Sequence, residues 1–311
     1  SIEYRDNKSD KDLTTQKETT AIKSEEKKEE SAVKSSSSSE SSQSQSLSQS
    51  RHKEKPNSIS SNEMITVPKT WEAGHKGQGT VVAVIDSGLD LNHEVLRISD
   101  PSKAKFKNQD DIEKAKKAAG IDYGKWYSDK VVYAYDYFDG TDNIKEAEKE
   151  SHGMHVTGIV AGNPVNKAPN SEKVYGVAPE AQIMFMRVFS DRDKTTASAF
   201  YVKAIDDAVA LGADVINMSL GAGAGSTVDA GSDIIDAVKR ARAKGVSVVI
   251  AAGNSNTFGR GFSQPLAANP DYGLVGNPST VEDSISVASI NNKILTTEVF
   301  EVKGLENDAT L

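Results

Sequence analysis

Cysteine is absent from all 311 residues, which excludes a disulfide framework, a thiolate metal site and a cysteine nucleophile. The absence identifies no compartment. No apolar run approaches the ~20 residues that a membrane-spanning helix needs. A basic excess is missing too: 37 Lys and Arg stand against 45 Asp and Glu, a formal net charge of -8. Nothing in that balance points to nucleic acid or another polyanion. Aromatic residues make up 6% of the chain, and residues 1–60 hold only Tyr4. That opening stretch balances 11 basic against 11 acidic residues and runs through an almost pure Ser, Gln and Glu tract from Ser35 to Ser50. It cannot bury enough apolar surface to offset the entropy of ordering, so a disordered arm is expected over 1–60. The chain opens on Ser1 rather than Met, which leaves room for a removed signal peptide upstream; a downstream anchor would be equally invisible.

What is present begins past the arm. The low mean hydropathy of -0.49 is local to the arm, because β and α signals alternate from residue 80 onward. Residues 80–85 form a continuous apolar run with three valines, as in a strand buried on both faces. Residues 182–188, 214–219, 246–252 and 284–290 have similar character. Helical patterns lie at 152–161, 197–211 and 233–244. In the middle one, Ala199, Val202, Ile205, Ala208 and Val209 make an apolar stripe, with Asp206 and Asp207 expected beside it in solvent. Gly212 and Gly245 stand where helices take a left-handed C-terminal residue. Strand, helix and strand repeated with short turns predicts an α/β fold, a doubly wound and mostly parallel sheet with helices on both faces. Ligands of such sheets bind at the carboxyl ends of the strands, where Asp86, Ser219 and Asn254 all fall. Residues 100–137, with a charged helix candidate and an aromatic patch (Tyr123, Trp126, Tyr127, Tyr133, Tyr135, Tyr137), read as a surface insertion.

Three segments carry groups able to do chemistry. Val81-Val82-Ala83-Val84-Ile85-Asp86-Ser87-Gly88 ends a strand on a carboxylate that could orient an imidazole; alone, Asp86 is equally a turn or cap residue. Ser151-His152-Gly153-Met154-His155-Val156 opens a helix on an imidazole, with Gly153 allowing close approach. His152 and His155 could instead share a metal ion, although no Glu separates them as in metallopeptidase helices. Val248-Val249-Ile250-Ala251-Ala252-Gly253-Asn254 ends a strand on a carboxamide that could donate to an oxyanion, or that merely tolerates a turn. Ser219-Leu220-Gly221 could pair with an extended peptide. The glycine-rich run after it lacks both the P-loop ending and the G-x-G-x-x-G spacing, so no nucleotide is expected.

In this order the segments resemble the subtilisin-like serine peptidases (subtilases) over about residues 64–290. Asn92-His93-Glu94, Gly176-Val177-Ala178-Pro179-Glu180-Ala181 and Pro270-Asp271-Tyr272-Gly273 look like the Gram-positive cell-envelope proteinases, the lactocepin and complement-anaphylatoxin peptidase group. The resemblance implies Asp86 as triad acid, His152 as triad base, Asn254 as oxyanion donor, and Ser219, Leu220 and Gly221 as the cleft edge that takes a protein substrate as an added strand. It implies a secreted or wall-attached endopeptidase that needs no cofactor for its chemistry. Calcium often stabilises the family, and the acidic loop 136–142 shows no diagnostic ligand spacing, so no metal site is assigned. Residues 61–293 would be the N-terminal part of the peptidase domain, and 294–311 the start of a segment leading to an inserted domain. One departure matters: Gly-Thr-Ser-Met-Ala does not occur, and Ser263 in Gly261-Phe262-Ser263-Gln264-Pro265 lacks the small neighbours a nucleophile needs. The 311-residue chain alone is therefore expected to be inactive. A non-catalytic surface adhesion protein that kept the fold is the alternative.

Overall fold

The computed structural model describes residues 57–145, 152–164, 175–192, 194–222, 230–254 and 275–290, with the backbone of 301–302 and 309–310. The arm up to residue 56, Ser263 and the segments 223–229 and 270–273 lie outside them. In chain order the elements are α1 (Asn57–Met64), α2 (Val67–Glu72), β1 (Val81–Asp86), α3 (Gln109–Ala119), β2 (Val131–Asp136), α4 (His152–Ala161), β3 (Gln182–Arg187), α5 (Ser198–Leu211), β4 (Val215–Met218), α6 (Ser232–Ala243), β5 (Ser247–Ala251), β6 (Ile285–Val287), and a two-residue antiparallel pair, β7 (Glu301–Val302) with β8 (Ala309–Thr310). Helix α1 starts inside the stretch expected to be arm.

Six strands form one parallel sheet in the order β2-β3-β1-β4-β5-β6. Strand β1, buried at all six positions, is central. Its side chains alternate between two cores. Val81, Ala83 and Ile85 pack with Ile112 of α3, Ile205 and Ala208 of α5 and Ile234 and Val238 of α6. Val82 and Val84 face the other way, onto Val156 and Ala161 of α4. Helices therefore cover both faces, as the unbroken apolar runs predict. Gly212 caps α5 with φ 92, the left-handed geometry expected there.

Two expectations are corrected. Within 100–137, residues 131–136 are not on the surface but form the sheet's edge strand β2, paired with β3. Its tyrosines are core: Tyr133 and Tyr137 are buried, and Tyr123 lies 4.5 Å from Tyr135 between ring centroids. Alternation was masked by aromatic residues and by a register shift between Val131 and Tyr133, which breaks period-two patterning. Asp207 is not in solvent either. It is 4% exposed, accepts from the Tyr123 and Tyr137 hydroxyls at 2.5 and 3.0 Å, and pairs with Lys203. Helical periodicity marks a face but cannot reveal that phenols 84 and 70 positions away in the chain will cover it.

Lys130, just before β2, is a second buried charge. Only 1% exposed, it donates from Nζ to the Pro179 carbonyl at 2.8 Å. Burial pushes its ammonium down from 10.5 to about 7, against the pull of Glu180. Between those values the unfolded chain holds more protons than the folded one, so stability rises with pH across that window. From pH 7 to 9 the gain is on the order of 2 kcal/mol, a shift of one unit being ~1.4 kcal/mol. Lys130→Met is expected to lack this rise. Urea midpoints of wild type and variant that run parallel between pH 7 and 9 would contradict it.

Candidate active site

Asp86 ends β1, is fully buried, and presents Oδ1 to two donors at once. The Ser87 N–H donates at 2.7 Å, and His152 Nδ1 lies 2.7 Å away. A carboxylate only accepts, so Nδ1 carries a proton in this contact. The imidazole side chain is 29% exposed, whereas that of Asp86 is 1%. A dry carboxylate thus orients a base that reaches solvent. The pair are 66 positions apart in sequence.

Local packing sets that distance. His152 opens α4, and Gly153 behind it lies against the turn after β1. A Cβ on Gly153 would fall 2.4 Å from the Gly88 carbonyl oxygen and 2.9 Å from its nitrogen, so the close approach expected of this glycine is sterically required. The Gly153 N–H donates to Ser87 Oγ at 3.2 Å, and Thr157 Oγ1 to the Gly153 carbonyl at 2.7 Å. Met154 packs against the α4-side core and His155 is exposed. With its Nδ1 committed to Asp86, His152 is poorly placed to share an ion with His155. Among the described residues no group of three or more His, Cys, Asp or Glu could hold a metal ion. In the acidic loop, Asp136 is already bound: Oδ1 accepts from the Phe138 and Asp139 N–H groups, and Oδ2 from Arg187.

The other predicted residues lie along the same rim. Register pairs Ile85 with Met218 and Met218 with Ile250, so Asp86 and Ala251, the last residues of β1 and β5, lie level with Ser219, the residue after β4. Strands are ~4.8 Å apart, which puts the end of β5 about 10 Å from that of β1. Asn254 follows three residues later, exposed, after Gly253 at φ 108. Ser219 is half-buried and accepts from Asn217 Nδ2 at 3.1 Å. Leu220 is 2% exposed, so its side chain belongs to the core. Gly221 backs onto the Asn277 carbonyl, 2.7 Å from where a Cβ would stand, and Ala222 exchanges backbone hydrogen bonds with Asn277 at 2.8 and 2.9 Å. That backbone pairing falls on Ala222, one residue past the 219–221 edge.

Sequence reading missed Arg187, the last residue of β3 and 1% exposed. Its Nε donates to the Ser87 carbonyl at 2.8 Å, and Nη1 to Asp136 Oδ2 at 2.7 Å. Burial pushes the Asp136 carboxyl up, while the Asp139 N–H and the Arg187 charge pull it down. One signal was available: a guanidinium inside an apolar strand must find carboxylates nearby.

The chain matches the pattern of the Subtilase family over residues 77–308 and belongs to that family. It is 43% identical over 242 residues to the C5a peptidase of Streptococcus pyogenes serotype M3, covering 78% of this chain and 20% of that protein. To the PIII-type proteinase of Lactococcus lactis subsp. cremoris it is 39% identical over 254 residues, 79% of this chain and 13% of that one. The chain therefore spans a fifth or less of these relatives.

Proposed function

We propose that this chain supplies the acid, base and oxyanion donor of a serine endopeptidase that cleaves extended protein substrates at, or released from, a Gram-positive cell envelope. The observation carrying this is the 2.7 Å contact between a buried carboxylate and a partly exposed imidazole. In that reading His152 Nε2 takes the proton of a serine hydroxyl as its oxygen bonds to the scissile carbonyl carbon. Asp86 stabilises the resulting imidazolium, Asn254 donates to the oxyanion, and His152 returns the proton to the departing amine. Water then repeats the sequence to release the acyl group. Residues 219–221 would border the substrate strand, with 222 already paired. No cofactor enters these steps.

Because Gly-Thr-Ser-Met-Ala does not occur in the 311 residues, we take the nucleophile to lie in sequence outside them. The 311-residue chain is then not labelled by a serine-directed fluorophosphonate, whereas a longer chain carrying the serine segment is, at one equivalent. Stoichiometric labelling of the 311-residue chain would show the nucleophile to be misassigned. No observation favours a purely adhesive role, for which a buried, aligned Asp86–His152 pair has no use. Among the described residues no helix is long and apolar enough to cross a membrane.

A further inference from the structure

Asp86 aims at His152 with little support of its own. Oδ1 carries both hydrogen bonds, while Oδ2 is buried with no hydrogen-bond partner among the described residues. The direction of the carboxylate is therefore set by the backbone turn 86–88. That turn is gripped from outside. The Asp86 carbonyl accepts from the Val188 N–H at 3.0 Å, and the Leu89 N–H donates to the Ile144 carbonyl at 2.9 Å. Between those two holds, Arg187 Nε anchors the carbonyl of the Ser87–Gly88 peptide at 2.8 Å. A Cβ on Gly153, the neighbour of His152, would stand 2.9 Å from the Gly88 nitrogen of that same peptide and 2.4 Å from the Gly88 carbonyl oxygen of the next one.

Arg187 is itself fixed from several sides. Nη1 reaches Asp136 at the end of β2 and the Asn143 carbonyl at 3.3 Å, and the Arg187 carbonyl accepts from the Tyr137 N–H at 2.8 Å. Nη2 lies 2.6 Å from Asp191. That last contact is poorly aligned for a hydrogen bond and so compensates charge rather than fixing direction. Asp86 and Arg187 are also register partners on neighbouring strands. A single guanidinium ties β2, β3 and the turn after β1 together.

We propose that Arg187 is a positioning residue for the Asp86–His152 pair, acting by pinning the Ser87–Gly88 peptide against which Gly153 is seated. The structural claim is independent of turnover; its catalytic meaning rests on the peptidase reading above. Arg187→Lys keeps a cation for Asp136 but has no Nε for the Ser87 carbonyl. The double variant Arg187→Met, Asp136→Asn removes the buried charges together, which spares the fold an uncompensated carboxylate.

The readout is NMR of the ¹⁵N-histidine- and ¹⁵N-arginine-labelled protein. In wild type, the Nδ1 proton of His152 is expected far downfield and slow to exchange. In Arg187→Lys, and likewise in the double variant, its exchange with water speeds up about tenfold, the order of one lost hydrogen bond. Amide exchange in the middle of β1 and β3 stays unchanged, which a merely structural role would not predict. Wild-type Nδ1 exchange in either folded variant overturns the proposal. Should neither variant fold, the unmodified protein decides: the Arg187 Nε resonance must move at the midpoint where His152 titrates, and a static resonance overturns the proposal. None of these signals requires activity, so a completed chain without peptidase activity would sink the reaction class and leave Arg187 to be judged on exchange rates alone.

Discussion

On the proposed peptidase reading, replacing His152 with alanine in a longer chain that carries a serine segment is expected to lower kcat by about 10⁶-fold, the loss seen when a subtilisin triad loses its base. The reason lies in the geometry at the end of β1. The imidazole is the ring that lies 2.7 Å from the buried Asp86 carboxylate, and alanine has no nitrogen to take the hydroxyl proton. Asp86→Asn is milder, about 10⁴-fold. Asparagine can keep a carbonyl toward the Ser87 N–H, yet it lacks the charge that stabilises an imidazolium. Its NH₂ would also occupy the site of Oδ2, which is buried without a hydrogen-bond partner among the described residues, and so adds an unsatisfied donor. Turnover of a peptide substrate and fluorophosphonate labelling measure both. A His152→Ala variant keeping more than about a hundredth of wild-type kcat would remove His152 from the role of base.

Gly153→Ala should cost at least about 2 kcal/mol and lose the Nδ1 signal of His152. Two effects oppose each other. Alanine favours a helix over glycine by ~1 kcal/mol, and less at a first turn. Against this, the added methyl would lie 2.4 Å from the Gly88 oxygen and 2.8 Å from the Phe185 ring. The ring could yield; the backbone of the 86–88 turn is bound on several sides and cannot. Overpacking costs ~1–3 kcal/mol where side chains can shift and more where they cannot, so the steric term wins. Urea unfolding gives the stability change, and an unaltered midpoint would show that α4 slides freely on the turn.

Much of the fold was legible before any coordinates. Strand runs 80–85 and 182–188 became β1 and β3 with shifts of a residue at most, because strands buried on both faces must be apolar throughout. Helix α4 begins at His152 as expected. Strand β2 was hidden, since Tyr133, Tyr135 and Tyr137 suggested a surface patch and the bulge removed the period-two signal. Asp207 and Lys130 were hidden for a related reason. A charged residue looks exposed in sequence, and its burial depends on partners 70 or 49 positions away.

By itself the amino-acid sequence determined the chemistry available: a carboxylate after one strand, an imidazole at a helix start, a carboxamide after another strand, and no cysteine to compete. It determined the layered α/β arrangement as well, because periodicity and glycine placement are local properties. Tertiary structure alone decided that Asp86 Oδ1, rather than both oxygens, receives the imidazole, that Asn277 pairs with Ala222 just past residues 219–221, and that Arg187 holds the Ser87 carbonyl in the turn after β1. Those outcomes depend on register between strands and on the seating of a helix over a turn, where a displacement of one ångström makes or breaks a hydrogen bond while every residue stays the same.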